Sequence, residues 1–216
     1  RILDRLKSDT EPYRILPFNI KGGVLPNWAI PNVNVMYGID SIAYYTPLAD
    51  KAYRNVLSGL EVVDDALGLR AAREDAIVEK IDILRLLNVK YIISRVELKD
   101  KFLNLIISEK NAFLYKMDSY LPRAFFSYDV DKDISMAADA DIRIFQYRDG
   151  HVELSVESRK NGFLVLSENC YPGWHAYVDN EEARIIRVKD LLQGVRVKAG
   201  KHMVKFIYKP FNIHED

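Results

Sequence analysis

Apolar and polar positions are most regularly ordered over residues 163–210, FLVLSENCYPGWHAYVDNEEARIIRVKDLLQGVRVKAGKHMVKFIYKP. Phe163 to Ser167 is a near-continuous apolar run, which predicts a strand at the centre of a sheet. Val195 and Val197 alternate with Arg196 and Lys198, and Val204, Phe206 and Tyr208 recur at every second position. That period of two predicts strands with one face turned to a core. Upstream, Ile142–Tyr147 and Val152–Val156 flank Asp149-Gly150, a two-residue hairpin signal. Val152, Leu154 and Val156 point inward, and His151, Glu153, Ser155 and Glu157 outward. Tyr177-Val178 and Ala183–Val188 are expected to pair around residues 179–182. Strands separated by turns every ~8–12 residues predict an antiparallel β-sandwich, Ig- or jelly-roll-like, over residues 121–216. No helix is expected there beyond a turn near Met136–Asp139.

The first 120 residues have a different texture. Ile2, Leu3 and Leu6 suggest a short amphipathic helix, and Tyr13–Leu16 a strand that Pro17 ends. Residues 18–45 read as a long irregular loop, punctuated by Gly22-Gly23, Pro26, Pro31 and Gly38. Thr46-Pro47 opens a helix that runs to Ser58. Val62–Leu69 suggests a second, weaker helix. Glu74–Leu87 gives the strongest one, with Ile77, Ile81 and Leu84 at helical spacing and Asn88 as its C-cap. Val89–Ser94, Phe102–Ser108 and Ala112–Met117 then read as strands. The fold class is α+β: a small mixed α/β module over 1–120, followed by the sandwich.

Bulk properties narrow the partners. The 31 basic and 31 acidic residues balance, which removes the electrostatic reason to expect nucleic acid or an anionic membrane surface. Cys170 is the single cysteine, so there is no internal disulfide framework. No run approaches the ~20 apolar residues that span a bilayer. The chain opens at Arg1, already in a helical pattern, and reads as a piece of something longer.

Several short motifs carry a family resemblance. They are Leu164-Val165-Leu166-Ser167-Glu168, Tyr171-Pro172-Gly173-Trp174, Tyr177-Val178-Asp179, and Ala199-Gly200-Lys201-His202 with Phe206, Tyr208 and Pro210. In the first half they are Tyr13–Leu16, Asn27-Trp28, Tyr37-Gly38-Ile39, Tyr45–Leu48, Leu86–Ile93 and Leu121–Ala124. Together they resemble YfhO-like bacterial and archaeal membrane proteins, in order and over nearly the whole chain. The resemblance implies a polytopic membrane protein similar to C-type glycosyltransferases that use lipid-phosphate sugar donors. It implies that this region is a domain outside the cytoplasmic membrane, partnered by the membrane-embedded rest of its own chain. The acidic catalytic residues of that superfamily lie in an early loop that this chain does not contain, so no catalytic residue is carried over. Asp179-Asn180 departs from the family's Asp-Gly, and Lys189-Asp190 from a pattern where Asn is common.

The candidate site residues are few. Tyr171, Trp174 and Tyr177 surround a Pro-Gly turn and either offer ring faces to a sugar or plug the end of the sandwich. Asn27, Trp28, Asn32, Asn34 and Tyr37 lie in the 18–45 loop, either a ligand or partner surface or a packed irregular segment. Glu168 is the best single carboxylate, ending a central strand. His151, His175, His202, Glu168 and Asp179 lack metal-ligand spacing, and no metal or cofactor is expected. Cys170 has no signature of a nucleophile. Gly22-Gly23 lacks the surrounding residues of a phosphate loop. Arg70, Arg73, Lys80 and Arg85 read as a solvated helical face. The expected role is non-catalytic, contributing binding of glycan, lipid-linked sugar or partner. A freestanding secreted carbohydrate-binding or adhesion module and a glycoside hydrolase are the alternatives.

Overall fold

A computed structural model describes residues 1–18, 27–29, 33–43, 51–57, 61–64, 69–72, 74–110, 112–132, 134–148 and 150–209. Strands dominate it and helices are few and short. The chain divides into two compact units, Arg1–Pro122 and Arg123–Asp216.

The first unit opens with α1 (Ile2–Lys7), whose Ile2 and Leu6 are buried. Then come β1 (Arg14–Phe18), two 3-10 turns (Asn27–Ala29 and Asn34–Tyr37), β2 (Asp40–Ser41) and α2 (Lys51–Leu57). β3 (Glu61–Asp64), β4 (Leu69–Ala72), α3 (Glu74–Glu79) and α4 (Ile81–Leu86) follow. β5 (Val89–Ser94), β6 (Leu103–Glu109) and β7 (Ala112–Met117) complete the unit. Its main sheet has the order β2-β1-β5-β7-β6, parallel on one side of β5 and antiparallel on the other. Every residue of β5 is buried, as its apolar sequence requires at the middle of a sheet. Asn88 adopts a left-handed φ of 58°, so the chain turns from α4 into β5 within two residues.

Three expectations for this unit are corrected. Pro17 does not end β1 but pairs with Ile93 inside it. Arg14 N donates to Asn88 on the β5 side, whereas Ile15 O accepts from Ile42 on the β2 side. Alternation therefore turns Pro17 toward β2, which pairs only with Arg14 and Ile15, so the missing N–H breaks no ladder. Val62–Leu69 is not a helix: β3 and β4 form an antiparallel pair, consistent with the extended preference of the β-branched Val62-Val63. The strongest helix is broken at Lys80, whose φ of −110° and ψ of 13° leave the helical region, giving α3 and α4. The helix start at Thr46-Pro47 lies outside the described residues.

The second unit contains β8 (Ala124–Ser127), β9 (Asp141–Arg148), β10 (His151–Ser158), β11 (Gly162–Asn169) and β12 (Trp174–Val178). It continues with β13 (Glu181–Ala183), β14 (Ile186–Val188), β15 (Leu192–Val197) and β16 (Gly200–Tyr208). They form two wholly antiparallel sheets, β13-β12-β16-β10-β9 and β14-β15-β11-β8. One core draws on both: Val152, Leu154, Val204 and Phe206 from the first, and Phe126, Leu164, Leu166 and Val195 from the second. Each fully buried side chain of this kind contributes about 1.5–3 kcal/mol. Gly150 takes a φ of +73° after β9, a conformation glycine adopts without cost.

β8 was not expected, because Ala124-Phe125-Phe126-Ser127 is short and buried throughout, without alternation. The Ala183–Val188 run does not form one strand. It pairs with β12 only as far as Ala183, then crosses at Arg184-Ile185 to join the other sheet as β14. The turn before it is also tighter than expected, since Val178 pairs directly with Glu181.

Candidate functional site

The aromatic corner is built where β11 ends. Cys170 N donates to Leu191 O (2.7 Å), and Gly173, at φ 99°, presents its carbonyl to Lys209 N (2.7 Å). Trp174 then pairs with Tyr208 across β12 and β16, the ring centroids 5.3 Å apart and tilted by 43°. Trp174 is half-buried against the shared core, whereas Tyr171 and Tyr208 are 37% and 38% exposed. Strand alternation sends Tyr177 to the opposite face of β12, toward Lys205, so the structure does not gather it with Trp174.

Glu168 is held firmly. Its Oε1 accepts from Arg123 Nη1 (2.9 Å) and from Tyr147 Oη (2.5 Å), and the Arg123 guanidinium lies 5.1 Å over the Tyr147 ring. Arg123 is 1% exposed. The three side chains tie the start of β8 to β9 and to the end of β11, and a carboxylate so engaged is a structural anchor.

In the first unit, Trp28 and Tyr37 pack partly buried against the core of Ile15, Ile39, Tyr91 and Leu114. Asn34 is buried and its Nδ2 donates to Ile39 O, closing the 3-10 turn on itself. Asn27 opens the first 3-10 turn. Asn32, Gly22-Gly23 and Arg73 lie outside the described residues. Arg70 belongs to β4 rather than to a helix, Lys80 marks the break between α3 and α4, and Arg85 Nε donates to Ser119 O (2.7 Å).

Three histidines have carboxylate partners: His151 with Glu153 (2.9 Å), His175 with Glu182 (3.3 Å) and His202 with Asp179 (2.6 Å). His202 is tucked in at 17% exposure, on the same side of β16 as buried Val204 and Phe206. The hydrogen bond from His202, with a second from Met203 N (2.9 Å), holds the Asp179 carboxyl below its ordinary range. Asp179 sits at the far end of β12 from the corner that Glu168 adjoins. Among the described residues no group of three or more His, Cys, Asp or Glu is placed to hold a metal ion.

A cleft of about 430 Å³ lies at the other end of β11. That volume falls within the roughly 300–1,000 Å³ typical of small-molecule sites. Tyr128, just after β8, forms one side; Asn161, Gly162 and Phe163 open β11, and Arg196 and Lys198 close β15. Register brings these segments together, Gly162 facing Val197 and Phe163 facing both Arg196 and Ser127. The Arg196 guanidinium stacks 4.8 Å over the Phe163 ring, and Lys160 Nζ lies 5.7 Å over the Tyr128 ring. Tyr128 rests edge-on against buried Phe126 (5.6 Å) and donates its hydroxyl to Asp139 (2.7 Å). That bond pushes the Tyr128 phenol up and the Asp139 carboxyl down. Asn161 Oδ1 accepts from Ala199 N (2.9 Å). Among the described residues neither Arg196 nor Lys198 has an acidic partner. The sequence reading missed this cleft, because its residues are up to 70 positions apart and only the pairing of β8, β11 and β15 joins them.

The family model for the bacterial membrane protein YfhO matches residues 128–213. No curated protein and no solved structure matches the chain. The matched span runs from Tyr128 of the cleft through β9 to β16 and includes the Tyr-Pro-Gly-Trp corner. Residues 128–213 are therefore similar to the YfhO family of bacterial membrane proteins.

Proposed function

We propose that this chain is an extracytoplasmic domain of a polytopic membrane protein resembling lipid-linked-sugar-dependent glycosyltransferases. It contributes binding of a glycan or glycan acceptor, not the chemistry. The second unit is then a β-sandwich of the Ig or jelly-roll kind, an architecture that carries ligands on its ends and faces. Its partner is the membrane-embedded remainder of the same protein. The family's description as a membrane protein supports the membrane placement, and none of the described helices is long and apolar enough to cross a bilayer.

The observation that carries the binding reading is the cleft. Tyr128 is 39% exposed, Phe163 lines the same cleft, and Arg196 and Lys198 add hydrogen-bond donors. Sugars are bound by that combination, with ring C–H groups on an aromatic face and hydroxyls on charged or amide donors. Glu168 and Asp179 are each engaged by their own partners, Arg123 and His202, as structural carboxylates are. The test is a ¹H–¹⁵N titration of the intact chain with a panel of oligosaccharides. Shifts centred on Tyr128, Asn161–Phe163 and Arg196–Lys198 are expected. A panel that moves none of these amides overturns the reading.

A further inference from the structure

We infer that the cleft takes an acidic sugar, with Arg196 and Lys198 reading its carboxylate. This inference rests on the glycan reading above and specifies the ligand.

Several charges of the second unit are paired. Arg123 meets Glu168, Arg143 meets Asp141, Lys205 approaches Glu153, and three histidines meet carboxylates. Arg196 and Lys198 have no acidic partner among the described residues, and they are two residues apart and therefore on the same side of the chain where β15 ends. Asp139 is committed to the Tyr128 hydroxyl, with Arg159 and Lys160 as its neighbouring cations. The mouth of the cleft thus keeps an uncompensated positive charge inside a chain whose net charge is zero.

The geometry favours a planar anion. The Arg196 guanidinium lies over the Phe163 ring, which restrains it, and the residue is exposed to an incoming ligand. A guanidinium held in one plane donates two parallel N–H bonds to a carboxylate, which an ammonium cannot do. The sugar ring bearing that carboxylate would lie beside the exposed Tyr128 side chain, with the Asn161 side chain at hand for its hydroxyls. A hexuronate residue within a glycan combines these features.

The experiment measures binding of the intact chain to a galacturonate trisaccharide, its methyl ester, a neutral hexose trisaccharide and a hexose 6-phosphate. The free acid is expected to bind at least about tenfold tighter than its ester. That preference should weaken as salt is raised. Arg196→Gln should abolish it, Arg196→Lys should restore only part of it, and Lys198→Gln should reduce it with the fold intact. Equal binding of acid and ester overturns the acidic assignment while leaving a glycan site in place. Tighter binding of the hexose phosphate also overturns it. Failure of every saccharide to bind overturns the glycan reading as well.

Discussion

Lys90 Nζ lies 2.7 Å from Asp9 Oδ2, and both side chains are less than a tenth exposed. Lys90 sits in the central strand β5, and Asp9 in the segment between α1 and β1. Glu11 reaches the same ammonium at 2.8 Å, Tyr91 Oη donates to Asp9 (2.6 Å), and Tyr120 Oη donates to Glu11 (3.0 Å). One lysine and two tyrosine hydroxyls thus tie the N-terminal segment to the sheet. Lys90→Met leaves the Asp9 carboxylate buried without its cation and is expected to cost roughly 3–5 kcal/mol. Adding Asp9→Asn should recover part of that loss, because the uncompensated charge is then gone. Denaturant unfolding followed by hydrogen exchange at β5 checks both variants; a single-variant loss below about 1 kcal/mol contradicts the assignment.

The same cluster sets a pH dependence with two limits. Burial pushes the Asp9 carboxyl up, but hydrogen bonds from Lys90, Tyr91 and the Glu11 backbone outweigh it, and the group sits below its ordinary value. Glu11 is lowered chiefly by its bond from Lys90. Their stabilisation is therefore present above the ordinary carboxylate range, about pH 4, and is lost as pH falls through the depressed folded values. At the alkaline side, burial pushes the Tyr91 phenol up to about 12. Burial also raises Tyr13, and hydrogen bonds to Asp9 and Glu11 hold Lys90 above its ordinary value against the opposing effect of burial. The folded chain retains these protons while the unfolded chain loses them, so stability falls as pH climbs from about 10. Unfolding free energy across pH 3–12 should show both declines, with tyrosinate absorbance appearing late in the folded chain.

Gly162 is fixed by packing. A Cβ there would meet Phe126 ring carbons at 2.6 Å and Ser127 O at 2.8 Å, and Phe126 is fully buried. Gly162→Ala is expected to destabilise the second unit by about 1–3 kcal/mol, the usual cost of overpacking. It should also disturb the cleft, since Phe163 and Tyr128 border the same atoms. Chemical denaturation of the variant checks this, and an unchanged midpoint contradicts it.

Lys189 takes a left-handed φ of 48° in the turn between β14 and β15. An L-residue other than Gly, Asn or Asp is strained there by about 1–2 kcal/mol. Lys189→Asn is therefore expected to stabilise the chain by roughly 0.5 kcal/mol after loss of the Lys189 Nζ bond to Asp131 O. Thermal unfolding measures it; a lower melting temperature contradicts the expectation.

The strands of the second unit were legible wherever one face is wet and one dry, as along Val152-Glu153-Leu154. β8 left no such trace, because Phe125 and Phe126 are both fully buried although alternation turns them to opposite faces. The crossing from β13 to β14 was equally silent, since Arg184-Ile185 contains neither Gly nor Pro. The YfhO resemblance was visible in short motifs, and the family model matches residues 128–213. The sites were less legible. The pattern marked Glu168 as a strand-end carboxylate but held no sign of Arg123, which is 45 residues away and neutralises it. The cleft arises from strand register, and Phe163 and Arg196 are unremarkable residues until β11 and β15 pair.

The proposed placement of this domain outside a cytoplasmic membrane is tested most directly by labelling in intact cells. The full-length parent protein would carry Cys170→Ser and Asn161→Cys, the latter at an exposed position of the cleft. A membrane-impermeant thiol reagent should modify residue 161 in unbroken cells to the same extent as after permeabilisation. Modification that appears only once the membrane is broken contradicts the account.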